Sequence, residues 1–312
     1  MKSKIILLFL ISFFMTVSTF AEKRLKIVTT TSDLASLAQE IGKDRVNIVS
    51  LSYGNRDPHF IEPRPSMVMK LKKADLVLLV GMDLDIWIES LIDTARNNKI
   101  KIGNRGYLDV SKGIKKLEVP QGKVDASMGH VHPQGNPHYW LDPENTKIIA
   151  NSITQKLIEL APESTSYFKT NLNNFSDKID KKIKTWQTAL SPYKGNKIIT
   201  YHRSWSYFAN RFGLDVACEI EPKPGIPPYP GHLKNVLEKI KQHKIKVILM
   251  EVFYNLKPAQ FLAEKANIQV VVIPNSVRGI PSANDYFSLM DIIVNNLAKA
   301  FHDLIPTDFV AD

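Results

Sequence analysis

Cysteine is almost missing from this chain, which has one, Cys218, in 312 residues. A single thiol forms no internal disulfide, so the fold must be held by its apolar core. Cys218 also lies far from the N-terminus, so no lipid-attachment cysteine is expected after a leader. From Glu22 onward no apolar run approaches the roughly 20 residues needed to cross a bilayer. No low-complexity tract and no short internal repeat interrupts the chain, and 44% hydrophobic residues suffice for ordinary cores. Catalytic signatures are lacking as well. There is no HExxH helix motif and no nucleophile elbow with a Ser/His/Asp order, which counts against the common zinc-hydrolase and serine-hydrolase classes.

Acidic residues are outnumbered, 31 Asp and Glu against 41 Lys and Arg, for a formal charge of +10. The lysines are scattered along helical segments, which predicts a solvated basic surface and no nucleic-acid partner. At the N-terminus Lys2 and Lys4 precede Ile5 to Val17, apolar except for Ser12 and Thr16, and Thr19-Phe20-Ala21 places small residues at −3 and −1. That is the three-part pattern of a secretory signal peptide over residues 1–21. Its removal takes away Lys2 and Lys4 and lowers the formal charge from +10 to +8. A soluble, monomeric, periplasmic protein is expected.

Strand-like runs alternate with helical ones, which predicts an α/β protein with mostly parallel sheets flanked by helices. In the first half the strands are expected at Lys26–Thr30, Val46–Leu51, Asp75–Val80 and Lys99–Ile102. Ser32 is placed to cap a helix bearing Leu34, Leu37, Ala38 and Ile41, with Gly42 just past its end. Asp142-Pro143 opens another helix, a capping carboxylate followed by a proline that needs no amide partner. Between Pro162 and Leu190, Phe168, Leu172, Phe175, Ile179, Ile183, Trp186 and Leu190 recur at steps of three and four, the mark of one amphipathic helix. At about 28 residues it would reach about 40 Å. Strands resume at Lys197–Tyr201, Asp215–Glu219, Lys246–Met250 and Gln269–Ile273. The chain therefore divides into a lobe at 22–161, a rigid linking helix at 162–192, and a similar lobe at 193–312.

Four residues sit where open α/β sheets place ligands, beyond the carboxyl ends of strands. His59 lies in Asp57-Pro58-His59-Phe60-Ile61-Glu62-Pro63-Arg64-Pro65-Ser66. His138 lies in Gly135-Asn136-Pro137-His138-Tyr139-Trp140-Leu141-Asp142-Pro143. His202 and Glu251 each follow a strand directly. Prolines at 58, 63, 65, 137 and 143 stiffen the first two loops, which lowers the entropy lost when side chains converge. Each histidine alone is most simply a hydrogen-bonded loop residue, and Glu251 a loop cap. Obeying one topological rule across two lobes, the four make a set of imidazole nitrogens and a carboxylate that suits zinc. Asp57, Glu62, Asp142 and Arg203 are candidates to orient those rings.

With these motifs the chain from Lys26 to near Phe301 resembles the cluster A-I (cluster 9) solute-binding proteins of ABC importers for zinc and manganese. The resemblance rests on Asp57-Pro58-His59 with Glu62-Pro63, Asn136-Pro137-His138 with Trp140-Leu141-Asp142-Pro143, Tyr201-His202 with Tyr207-Phe208 and Phe212-Gly213-Leu214, and the long helix. It implies two lobes on a rigid helix, with His59, His138 and His202 as the first three ligands of an ion held between them. It further implies delivery to an inner-membrane permease and its ATPase. Histidine in the third position is typical of zinc-binding members, though manganese remains open. The fourth position departs from the family, which commonly places an aspartate after the last strand where this chain reads Pro274-Asn275-Ser276. Glu251 is the first choice there, with Asn275 or water behind it. The loop Asp125 to Pro133 carries Met128, His130 and His132 where zinc-binding relatives often have a histidine-rich insertion. His130 and His132 are therefore candidates for an auxiliary metal loop. The competing classes are a periplasmic zinc hydrolase, since three histidines with an open position could activate water, and a binder of a metal chelate.

Overall fold

The computed structural model describes residues 24–304 apart from 126, 127 and 130, so the expected signal peptide at 1–21 lies outside the described residues. The first lobe builds β1 (Leu25–Thr29), α1 (Ser32–Gly42), β2 (Val46–Ser50), α2 (Pro65–Lys72), β3 (Leu76–Leu79), α3 (Ile88–Ala95) and β4 (Tyr107–Asp109). Then follow α4 (Pro143–Leu160) and the long α5 (Thr165–Leu190). The second lobe builds β5 (Lys197–Thr200), α6 (Ser206–Phe212), β6 (Asp215–Glu219), α7 (Pro230–His243), β7 (Val247–Glu251), α8 (Lys257–Ala266), β8 (Gln269–Ile273) and α9 (Tyr286–His302).

Each lobe has one four-stranded, wholly parallel sheet, ordered β2-β1-β3-β4 and β6-β5-β7-β8. The two orders are the same pattern, so the lobes are topological copies that share no visible sequence repeat. Every residue of β3 and β7 is buried, as parallel strands covered on both faces must be. The chain order reverses beside β1 in one sheet and beside β5 in the other, and open parallel sheets offer their binding crevice at that reversal.

Three apolar cores follow. One lies under α2 and α3, with Leu71, Val77, Ile88 and Ile92. Another lies under α7 and α8, with Ile199, Ile248, Ile240 and Leu262. The third runs through both lobes without a break, from Ile27, Leu37 and Ile153 through Phe168, Phe175, Ile179 and Trp186 to Ile293 and Leu297. Helix α5 packs along its length on α4, α1 and α9, so the helix that links the lobes is also part of their shared core. Trp186 Nε1 and Lys182 Nζ both donate to Asp291 of α9, at 2.8 and 2.6 Å.

The seam between lobes is also tied by directed bonds to the loop that follows β8. Ser32 Oγ donates to the Val277 carbonyl at 2.5 Å, and Asp33 Oδ1 accepts from the Val277 amide at 2.8 Å. Trp140 Nε1 donates to the Asn275 carbonyl at 2.8 Å. A Cβ on Gly54 would come within 2.2 Å of the Val277 carbonyl, so only glycine lets the loop carrying His59 press backbone to backbone on the opposite lobe.

Three expectations need correction. Lys99–Ile102 is not a strand: Asn98–Ile100 is a 3-10 turn, and the fourth strand is the three-residue β4. The alternating Lys and Ile mimic an edge strand, but Asn97 accepts from Lys99 N at 3.1 Å and its amide donates to Leu71 O and Ala74 O, folding the chain back. The cap of α1 is Thr31, whose side chain accepts from Leu34 N, while Ser32 faces the other lobe. Gly42 is the last helical residue, and Lys43 follows it at φ 45°. Asp142 does cap α4, accepting from Glu144 N at 3.0 Å.

Candidate metal centre

The three histidines come together from three separate elements. His59 stands on a 3-10 turn, Pro58–Phe60, whose cap is Asp57. His138 ends the stretch leading into the turn before α4, and His202 lies two residues past the end of β5, which stops at Thr200 and not at the expected Tyr201. Their ring centroids lie 5.1 Å apart for His59 and His138, 5.1 Å for His59 and His202, and 5.4 Å for His138 and His202. One ring nitrogen from each falls within 4.8 Å of the other two.

What makes this more than proximity is the fate of the other nitrogens. His59 Nδ1 meets Asp57 Oδ1 at 2.6 Å, His138 Nδ1 meets Asn136 Oδ1 at 2.9 Å, and His202 Nδ1 meets Glu221 Oε2 at 2.7 Å. A carboxylate accepts only, so it takes the Nδ1–H and leaves the Nε2 lone pair available to a cation. The amide of Asn136 is oriented the same way, since its Nδ2 donates to Glu118 Oε2 at 2.9 Å and to the Arg203 carbonyl at 2.7 Å. Three imidazoles thus hold one tautomer, set by three different acceptors.

Charge follows burial. Burial, with the neighbouring rings of His59, His202 and His132, pushes the His138 pKa well below its ordinary value, so this ring is neutral at pH 7. Burial also works against a charged His202, but the Glu221 hydrogen bond and the carboxylates of Glu221, Glu251 and Asp57 outweigh it and raise its pKa. Asp57 is pushed up by burial and pulled down more strongly by His59 and His202, ending at about 2.

Glu251 is the final residue of β7 and is fully buried. Its Oε1 accepts from Trp205 Nε1 at 3.0 Å, while Oε2 has no hydrogen-bond partner among the described residues. Burial raises its pKa to about 7. The His59–His138–His202 group with mutually close ligand atoms does not include it. Asn275 is buried too, and its Oδ1 likewise has no hydrogen-bond partner among the described residues.

His132 reaches the centre from the 125–133 loop, its ring centroid 5.2 Å from that of His59. With Val131, His138, His202, Arg203 and Pro224 it lines a narrow opening of about 40 Å³. His130 lies outside the described residues. The remaining histidines are helical: His232 and His243 on α7, His302 at the end of α9.

Of the ring-orienting candidates only Asp57 bonds a histidine side chain. Asp142 is taken up by its helix and by Arg211, bonded at 2.7 and 2.9 Å. Arg203 pairs with Glu219 at 3.2 Å, and Glu62 is exposed. Sequence reasoning missed Asn136, which a motif reading places two residues before His138, and Glu221, 19 positions from its histidine with no local signal.

Two copies of a parallel-sheet lobe closed over converging imidazoles define a two-lobed binding protein whose cleft is furnished for a cation. Residues 27–300 match the family described as "ZnuA: Zinc-uptake complex component A periplasmic", and the chain belongs to that family. Similar proteins include the "Manganese ABC transporter substrate-binding lipoprotein PsaA" of Streptococcus pneumoniae, 26% identical over 92% of each chain. Another is the "Metal ABC transporter substrate-binding lipoprotein FimA" of Streptococcus parasanguinis, 27% identical over 90% of this chain and 91% of the other. Among solved structures, "Crystal structure of ZnuA" superposes at a TM-score of 0.76, with 24% identity over 89% of this chain and 99% of that one. A manganese-bound periplasmic metal binding protein from Candidatus Liberibacter asiaticus superposes at 0.74 with 22% identity, covering 89% and 99%. The family consists of substrate-binding proteins of ABC transporters, which bind and hand on without turnover, so the chain is a metal solute-binding protein and not an enzyme. Such proteins work with a membrane permease and its ATPase.

Proposed function

We propose that this chain captures one zinc ion on the Nε2 atoms of His59, His138 and His202 and delivers it, as a periplasmic monomer, to an inner-membrane ABC importer. The observation that carries the reading is the common tautomer of three buried rings, each fixed by its own acceptor. Three imidazole nitrogens favour zinc over manganese, which prefers carboxylate, carbonyl and water oxygens and stands lower in the affinity order of divalent metals. Glu251 supplies the fourth ligand. Its buried oxygen without a hydrogen-bond partner supports this, and Asn275 is the weaker alternative because an uncharged amide offsets none of the ion's charge. His132, and with it His130, belongs to a loop that collects the ion at the opening.

On this reading residues 1–21 direct export, 22–161 and 193–312 each furnish half of the centre, and 162–192 fix their spacing. The relatives named above are lipoproteins, whereas the one cysteine here, Cys218, is buried within β6. Manganese is the second reading, because several relatives are named for it. Calorimetric titration with zinc and with manganese, followed by displacement of one by the other, separates the two. One zinc per chain, not displaced by excess manganese, is expected. Manganese displacing zinc at equal concentration overturns the zinc assignment.

A further inference from the structure

Tyr254 lies on the turn after β7, three residues beyond Glu251, in the second lobe. Its ring stacks on Tyr201 at 4.3 Å and 19°, immediately before His202 in the chain. Its hydroxyl crosses the cleft and donates to Asp57 Oδ2 at 2.9 Å, a bond between residues 197 apart. The other oxygen, Asp57 Oδ1, accepts from the His59 amide at 3.0 Å and from His59 Nδ1 at 2.6 Å. Both Asp57 oxygens accept, Oδ1 from His59 and Oδ2 from the Tyr254 hydroxyl, which is the donor of the cross-cleft bond.

We propose that Tyr254 is a positioning residue that acts across the lobes: through Asp57 it sets the His59 ring and tautomer for the ion only while the two lobes are apposed. This rests on the metal reading given above. Glu221, the acceptor for His202, belongs to the same lobe as its histidine. The acceptor for His59 is held from the opposite lobe, by a phenol whose plane is fixed by stacking. Separation of the lobes therefore withdraws the donor from Asp57 Oδ2 and leaves the carboxylate held by the His59 amide and ring alone. The His59 ring, bonded to that carboxylate, is then less firmly set. Capture on closure and release on opening then share one switch, distinct from any change in the ligands themselves.

Tyr254→Phe keeps the stacked ring and removes only the hydroxyl. Zinc affinity measured by calorimetry is expected to fall about tenfold, the lower end for losing an outer partner of a metal ligand. The double variant Asp57→Asn with Tyr254→Phe is expected to bind no worse than Asp57→Asn alone, because the tyrosine acts through the aspartate. Nitrogen-15 spectra of zinc-free Tyr254→Phe should show His59 gaining the opposite tautomer, a signal that a purely structural role would not move. Wild-type affinity in Tyr254→Phe, or losses that simply add in the double variant, overturns the role of Tyr254 alone. A wild-type protein that takes up no zinc overturns the metal reading, and this one with it.

Discussion

Replacing Asp33 with asparagine should make the protein more stable at pH 8. Asp33 is buried at the start of α1, where it closes the seam between lobes by accepting from the Val277 amide at 2.8 Å. Its Oδ2 has no hydrogen-bond partner among the described residues. Burial, only partly offset by that amide and by Ser276, lifts its pKa from 3.8 to about 7. The sign follows from proton binding. Between about 4 and 7 the unfolded chain has lost this proton while the folded chain keeps it, so stability falls as pH rises through that window and is then constant. Three pKa units at 1.36 kcal/mol each give an upper limit of about 4 kcal/mol for keeping the ionised group buried above pH 7. Asparagine keeps an oxygen for the Val277 amide and carries no charge at any pH. Thermal melts of wild type and Asp33→Asn from pH 4 to 8 should converge at the acid end and separate by several degrees at pH 8, with the variant higher. A variant that melts lower at pH 8, or a separation that does not change with pH, would refute the reasoning.

Other perturbations address the shared core and the centre. Phe175→Ala, in the face of α5 that meets Phe287 at 5.8 Å between ring centroids, should cost about 3–5 kcal/mol in denaturant unfolding, with both lobes unfolding in one transition because one core spans them. Glu221→Gln leaves an acceptor for His202 but removes its charge, and zinc affinity by calorimetry should drop about 10-fold or more with little change in the melting temperature of the zinc-free protein. Glu251→Ala should weaken zinc binding by one to several orders of magnitude, and an unchanged titration would take Glu251 out of the site.

Much of this was legible in the sequence because it is local. Gln269–Ile273 and Asp215–Glu219 were read to the residue, the first because a β-branched run bounded by turns has little else to become. The steps of three and four from Phe168 to Leu190 marked α5, and the strand-end rule brought His59, His138 and His202 into one neighbourhood. What the sequence withheld depends on distant partners. The spacing in α5 reveals an apolar face but not that α1, α4 and α9 cover it, so the expected linking helix is also the middle of a continuous core. β4 is three residues long and its pairing to β3 is what makes it a strand. Asp57 was named as a ring-orienting candidate from its place beside His59, but Tyr254 and Glu221 could not be, because the bonds that give them a role span 197 and 19 positions.

X-ray absorption at the zinc edge of the loaded protein asks most directly whether three imidazoles from two lobes meet on one ion. Three imidazole nitrogens at about 2.0–2.1 Å are predicted, with two remaining in each of His59→Ala, His138→Ala and His202→Ala. A wild-type spectrum with one imidazole or none, or one left unaltered by all three substitutions, would contradict the account.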